Sequence, residues 1–386
     1  MKFVTNGSVM APLPIVIQPA SDLPLAFQLK QQITWLVATN VIKPGEKLPP
    51  IRVLAAQVGV HYQTVRAVYH QLSEDGLVAI RQGSGATVLP FSGLQLARPE
   101  TSVHAKMVGV LIAGMDPFYL PFLQGVEEVA EALPSLVVIC NAEDNPVKAK
   151  LQINQLILRG MDGIIAASVG NLVQRELGFP QTGGPFPIVY CDQPDTSGHV
   201  ILFDAENAGY QAVKHLLDHG HRRIGIVTAP IDWPNMSECF AGYRRALMEA
   251  GIAPRQSLVS VTKGFSISQG SDAARSLLVG SNPPTAMFAT ADILAIGAQR
   301  AIKSEGLRVP EDVAMIGYND IEIASMVEPA LTSLAAPAYE MGRLAMGLLA
   351  RLIAGERVNP TITRLETSLV IRRSCGCYPP GEGDHH

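Results

Sequence analysis

Three groups of residues in this 386-residue sequence have types and spacings that could do chemistry. The first is Arg52, the segment from His61 to Arg66, and the glycine pair Gly83 and Gly85. A helix beginning near Gln63 would turn its free amides toward phosphate. Arg66, one turn on, could reach a phosphate or a guanine edge, and a glycine turn lets backbone approach a minor groove. Taken singly, arginines are solvated surface charges; as a set in this frame they point to DNA. The second group is His215, His219 and His221, whose i, i+4 spacing plus a neighbour could chelate a metal. That stretch lacks the glutamate of a zincin, and a cluster favoured by a helix C-terminal dipole is the expected role. The third is Cys375-Gly376-Cys377, where two thiols alone do not complete a tetrahedral site, so an exposed tail without a required role is expected. No metal and no cofactor is expected. Neither a Walker A sequence nor a Gly-x-Ser-x-Gly elbow occurs, which leaves a catalytic reading without support.

The elements that must position the first group are legible from periodicity. Leu25, Leu29, Ile33 and Leu36 fall at helical spacing, with Asn40 and Pro44-Gly45 as stops. A short helix is expected over 51–58, a tight turn at Gly59-Val60, and a third helix over about 63–73 with Val65, Val68, Tyr69 and Leu72 inward. Two short strand signals, 77–80 and 87–89, enclose the glycine pair as a small wing. Farther on, apolar runs at 107–112, 136–140, 163–167, 187–190, 224–227, 285–289 and 313–316 alternate with helical stretches. Strand, helix, strand implies parallel sheets covered on both faces.

Length and composition bound the rest. The chain is too long for one hydrophobic core, and 47% hydrophobic against 17% charged residues excludes a disordered or coiled-coil chain. The net charge of −4 hides an asymmetry: residues 1–92 carry 7 Lys+Arg and 4 Asp+Glu, while the remainder carries 23 and 30. A basic head precedes an acidic body. Five scattered cysteines form no disulfide framework and fit a reducing cytosol, and the apolar run 9–17 is broken by Pro12 and Pro14, so no membrane segment is expected.

The motifs Pro44-Gly45-Glu46-Lys47-Leu48-Pro49, Arg52-Val53-Leu54-Ala55, Gly59-Val60, Thr64-Val65-Arg66, Gly76-Leu77 and Arg81-Gln82-Gly83-Ser84-Gly85 resemble the winged helix-turn-helix of GntR-family repressors over about residues 22–90. The resemblance implies DNA contact from Arg52, His61, Tyr62, Gln63, Thr64, Arg66, Gln82, Gly83, Ser84 and Gly85. His61-Tyr62-Gln63 departs from the family's Ser-Arg-Thr, and Ala86 from its wing Thr.

Residues 106–374 resemble the effector domain of LacI/GalR-type repressors, a periplasmic-binding-protein-like fold. The resemblance rests on Val108-Gly109-Val110-Leu111 with Asp116-Pro117-Phe118, Asp162-Gly163-Ile164-Ile165, Gly220-His221-Arg222-Arg223-Ile224, Gly242-Tyr243-Arg244, Gly306-Leu307-Arg308-Val309-Pro310 and Ile316-Gly317-Tyr318-Asn319-Asp320. A GntR head on such a body looks like the arrangement of arabinose-type repressors. The resemblance assigns effector contacts to Asp116, Phe118, Ser168, Asp192, Phe265, Asp292 and Asn319. It also assigns one to Cys239, where the family commonly has arginine; Ala291 and Ala336 replace its Asn and Gln. With three carboxylates kept and the arginine gone, the pocket suits a neutral or cationic ligand.

These readings combine into an α/β protein. A winged helix-turn-helix over 13–92 and a linker over 93–105 precede a two-lobed effector and dimerisation domain over 106–374, with parallel sheets flanked by helices and a tail over 375–386. One lobe comprises about 106–196 and 335–356, the other about 197–334 and 357–374. The expected function is that of a cytoplasmic, homodimeric, ligand-responsive repressor of double-stranded operator DNA. Its small-molecule effector, sugar-like or otherwise polar, closes the lobes about hinges near 194–198 and 334–336. A sensor whose head serves protein interaction, and an enzyme on the same fold, are the rival readings.

Overall fold

The structure is a computed structural model describing residues 12–17, 24–38, 41–81, 85–90, 106–169, 186–194, 198–279, 282–359 and 361–377. Gln82, Gly83 and Ser84 of the expected wing, the linker 93–105 and most of the 194–198 hinge lie outside the described residues. Two compact units result, one of 1–113, 133–188 and 349–357, the other of 114–132, 189–348 and 358–386.

The first unit begins with helices α1 (Leu25–Ala38), α2 (Ile51–Val58) and α3 (Tyr62–Glu74) and the antiparallel strands β1 (Val78–Arg81) and β2 (Gly85–Val88). Leu29, Ile33, Leu54, Val65, Val68 and Leu72 are wholly buried in one shared core, as the helical spacing requires. Gly59 ends α2 with φ 70°, a left-handed value that lets the chain reverse into α3 without a Cβ penalty. The Tyr69 hydroxyl donates to the Pro49 carbonyl at 2.7 Å, tying α3 to the segment before α2. Farther along, β3 (Lys106–Ile112) pairs in parallel with β4 (Ser135–Asn141) and β5 (Gly163–Ala167), and α5 (Pro146–Leu158) packs its Leu156 over Gly109.

In the second unit, α4 (Tyr119–Ala132) accompanies parallel strands β6 (Ile188–Cys191), β7 (His199–Phe203) and, later in the chain, Ile362–Leu365. A further sheet is built from β8 (Ile224–Thr228), β9 (Val259–Val261), β10 (Ala286–Ala289), β11 (Ala314–Asn319), β12 (Thr332–Ala335) and β14 (Ser368–Val370), in the order β14-β12-β11-β10-β8-β9; the Ile362–Leu365 strand beside β7 is β13. All its pairs are parallel except β12 with β14. Helices α6 (Ala205–Asp218), α7 (Pro234–Glu249), α8 (Ile267–Leu278), α9 (Asp292–Ser304) and α10 (Ala338–Ile353) complete the unit.

Helices approach one another at glycines. A Cβ on Gly242 of α7 would overlap the Glu206 carbonyl of α6, and one on Gly209 of α6 would overlap the Cys239 carbonyl. Gly270 and Gly297 do the same for α8 and α9.

The apolar runs become strands at or within three residues of the expected ends. Strands β7, β9, β12, β13 and β14 were not anticipated. Three of them, β9, β13 and β14, are short sheet edges with exposed or half-buried side chains, so they lack the apolar run that marks a central strand. One expectation is corrected. Residues 375–377 are not an exposed tail: Cys375 is buried, and the preceding Ser374 is wholly buried, bonding Met315 of β11 and Thr332 of β12 through its backbone and hydroxyl. A turn that satisfies two neighbouring strands cannot be peeled off without leaving their backbone groups unpaired. No helix among the described residues is long and apolar enough to cross a membrane.

Candidate nucleic-acid interface and effector site

The face of α3 opposite the core carries the residues the sequence assigned to DNA. His61, Tyr62, Gln63 and Arg66 are exposed, Thr64 is half-buried, and Arg52 is exposed on α2. Tyr62 leaves 44% of its surface in solvent, which is unusual for a tyrosine that a core could have taken. Neither Arg52 nor Arg66 has an ion-pair partner among the described residues, so both guanidinium forks are available. The substitution at His61 finds its reason here. Its Nδ1 accepts from the Gln63 amide at 3.3 Å, so the imidazole caps α3 where a serine hydroxyl otherwise would. The Thr64 amide donates to the His61 carbonyl at 3.0 Å, which closes the first turn. Gly85, exposed with φ 86°, starts the second wing strand.

The expected effector residues cluster at strand ends. Every non-glycine residue with a left-handed backbone among the described residues lies at, or within three residues after, the C-terminal end of a parallel strand: Glu143 and Asp144 after β4, Ser168 after β5, Asp192 after β6, Asn319 and Asp320 at β11. Such backbone costs on the order of 1–3 kcal/mol outside Asn and Asp and concentrates at binding sites, and open parallel sheets bind ligands at these ends.

In the second unit, Asp116, Phe118, Asp192, Phe265 and Asn319 are all half-buried. Phe118 and Phe265 pack against the same core cluster, and Phe118 meets Phe203 edge-on at 5.9 Å. Asp116 Oδ1 accepts from the Phe118 amide at 2.9 Å, which orients the loop after β3. Asp192 Oδ2 accepts from Asn235 Nδ2 at 2.8 Å, and Trp233 leans on Phe265 at 5.7 Å. Trp233 and Asn235 were missed by sequence reasoning; the signal was present in a tryptophan and a proline at the start of a helix directly after a parallel strand. Tyr318 was missed as well. It is buried, and that burial, with Asp192 and Cys239 nearby, holds its phenol well above its ordinary value. Ser168 stands half-buried after β5 in the first unit.

Two assigned residues are enclosed. Cys239 is wholly buried in α7, and burial pushes its thiol up to about 12. Asp292 is fully buried at the start of α9, its Oδ1 accepting from Ser333 Oγ at 2.6 Å and its Oδ2 from the Ile321 amide at 2.8 Å. These bonds hold the ends of β11 and β12 together. Burial outweighs them and raises the Asp292 carboxyl from 3.8 to about 7. A carboxyl raised on folding means the native state binds more protons between those values, so its contribution to stability declines as pH rises from about 4 to about 7. Melting curves across that range should show the decline in the parent and a flatter dependence in Asp292→Asn; an unchanged slope would remove Asp292 as its source.

Comparison with known proteins places these parts. Residues 25–88 match the description "Bacterial regulatory proteins, gntR family", and residues 213–375 match "Periplasmic binding protein-like domain". Catabolite control protein A of Priestia megaterium is 30% identical over 283 residues, 72% of this chain and 84% of that protein. The HTH-type transcriptional repressor CytR of Escherichia coli K12 is 30% identical over 266 residues, 68% of this chain and 77% of that protein. Among solved structures, the transcriptional regulator CelR–cellobiose complex superposes with a TM-score of 0.65 at 26% identity, over 85% of this chain and all of that one. With a gntR-type helix-turn-helix whose recognition face is open and a periplasmic-binding-protein-like body related to these repressors, the chain belongs to the LacI-type transcriptional regulators.

Proposed function

We propose that this DNA-binding, ligand-responsive repressor works as a cytoplasmic homodimer without catalytic activity, and that its effector is a neutral or cationic, hydroxyl-rich small molecule. The observation that carries the effector class is the set of half-buried carboxylates Asp116 and Asp192, with Asn235, beside the Trp233–Phe265 aromatic pair. Carboxylates accept from hydroxyls or an amine, and an aromatic face receives the apolar face of a sugar or a base. The cellobiose held by CelR supports a polyhydroxylated ligand here. We assign effector contacts to Asp116, Phe118, Asp192, Trp233, Asn235, Phe265 and Asn319. In this proposal Asp292 and Cys239 shape the site from behind.

The body, residues 106–374, is the effector and dimerisation domain. Two heads on a dimer read half-sites about 34 Å apart, one helical turn, or a multiple of it, so an effector-driven population shift in the body changes operator affinity by altering that spacing. The acidic body is repelled from the duplex that the basic head seeks, which confines DNA contact to the head.

A thermal-shift screen of sugars, polyols, nucleosides and amines tests the effector. A ligand present at 100 times its dissociation constant should stabilise by about 2.7 kcal/mol. Asp192→Ala should weaken that ligand by ~10- to 100-fold, since a half-buried acceptor lost to a polar ligand is worth ~1–3 kcal/mol. A ligand shift that survives both Asp192→Ala and Asp116→Ala would put the effector elsewhere.

A further inference from the structure

Two half-sites that fall short separately in the sequence meet in the fold. His215 and His219 stand one turn apart at the C-terminal end of α6, with His219 as its C-cap. Cys377 reaches them from the segment after β14, and one ligand atom from each of the three residues lies within 4.8 Å of the others. Gly376 makes this possible. Its φ of 78° turns the Cys-Gly-Cys segment sharply, so that Cys377 follows a buried Cys375.

The imidazoles are prepared as metal-binding imidazoles are. His219 Nδ1–H donates to the His215 carbonyl at 2.7 Å, which fixes the tautomer and leaves Nε2 with a free lone pair. That outer hydrogen bond to a carbonyl is the one metal-ligating histidines use to set ring orientation. His215 Nε2 is buried and has no hydrogen-bond partner among the described residues, a condition that is unfavourable unless something fills it. The negative end of the α6 dipole favours a cation at this place. His221, two residues on, is engaged with Thr285 Oγ1 at 3.0 Å and stands apart from the group.

We propose that His215, His219 and Cys377 form a binding site for a zinc-class divalent metal, clipping the segment after β14 to the end of α6. Two imidazoles and a thiolate are the borderline-soft donors that select zinc over magnesium or calcium. A tetrahedral zinc with bonds of about 2.0 Å to nitrogen and 2.3 Å to sulfur sets its ligand atoms roughly 3.3–3.7 Å apart. The observed separations, none above 4.8 Å, exceed that spacing by at most about 1.5 Å. The fourth position falls to solvent, since the Cys375 thiol is buried and donates to the Arg372 carbonyl. Binding releases the Cys377 thiol proton to solvent, and no electron changes hands.

The test is a titration of the full-length protein, kept reduced and stripped with a chelator, with Co²⁺ alone. One equivalent per chain should produce the visible absorption of four-coordinate cobalt and a near-ultraviolet thiolate charge-transfer band, both bleached by Zn²⁺. Cys377→Ser should abolish the charge-transfer band and weaken Co²⁺ by at least ~100-fold, the upper end of what loss of a mere supporting residue costs. His219→Gln, at an exposed position, should weaken Co²⁺ comparably, and it serves if the cysteine variant does not fold. Parent protein without a thiolate band, or a band that persists in Cys377→Ser, would overturn the proposal. So would an affinity unchanged in His219→Gln.

Discussion

Arg66→Ala should weaken operator binding by ~10- to 100-fold, with the head still folded. Arg66 lies on the solvent side of α3, between the buried Val65 and Val68, so truncating it removes no core contact. Its guanidinium is one turn into the helix whose N-terminus His61 caps, within reach of a base edge or a phosphate once that terminus meets the duplex. A bidentate contact to a guanine is worth ~1–3 kcal/mol, which gives the expected factor. Fluorescence anisotropy against a cognate and a scrambled duplex separates the two kinds of contact. If Arg66 reads a base, the cognate loses more than the scrambled site. Arg52→Ala, on the shorter helix, should weaken both about equally and reduce the slope of log affinity against log salt by ~0.9 per lost phosphate contact. Affinity unchanged in the Arg52→Ala, Arg66→Ala double variant would mean that this face does not meet DNA, and the protein-interaction reading of the head would take its place.

Gly242→Ala should lower the melting temperature by about 6–12 °C, although it adds a single methyl group. In a helix interior, glycine to alanine ordinarily stabilises by ~0.5–1 kcal/mol. Here the new Cβ would run into the backbone of Glu206 and Tyr210 on α6, and backbone cannot swing aside as a side-chain tip does. The two helices must part, at a cost near the upper end of the ~1–3 kcal/mol typical of overpacking. About 3 kcal/mol corresponds to the stated shift for a domain of this size. Gly347→Ala supplies the contrast on α10, where a Cβ would meet nothing within 4 Å; that variant should be neutral or slightly more stable. If Gly242→Ala melts like Gly347→Ala, the α6–α7 contact is looser than described.

Where residues announce their neighbours within one or two turns, the sequence was enough. Val65, Val68, Tyr69 and Leu72 declare one face of one helix, Gly59 declares the turn before it, and the runs at 107–112 and 163–167 declare central parallel strands. What escaped depends on partners distant in the chain. Asn235 becomes a partner of Asp192 only when α7 and β6 are brought together, and neither local spacing mentions the other. The edge strands β9, β13 and β14 escaped because half-solvated strands need no apolar run. Asp292 is the reverse case: its position in a motif was plain, but whether its oxygens face a ligand or Ser333 and Ile321 is decided by how β11 and β12 end. His61 shows a substitution that preserves a role, since a ring nitrogen replaces a hydroxyl at a helix cap and leaves the neighbouring exposed residues free to differ.

The hydrogen bonds of Ser374 to β11 and β12 also set a timetable. At ~5–20 residues per second of synthesis, the segment that completes the β11–β12 edge follows the last strand of the head by some 290 residues, hence by ~15–60 s. The head has its own core and can fold as soon as it emerges, long before the body can close. During that interval each nascent chain presents a finished DNA-reading surface with no effector control over it. A chain that stalls or is cut before Ser374 would keep that surface while leaving the backbone of Met315 and Thr332 unpaired, and quality control that removes such unfinished bodies would at the same stroke remove unregulated repressor.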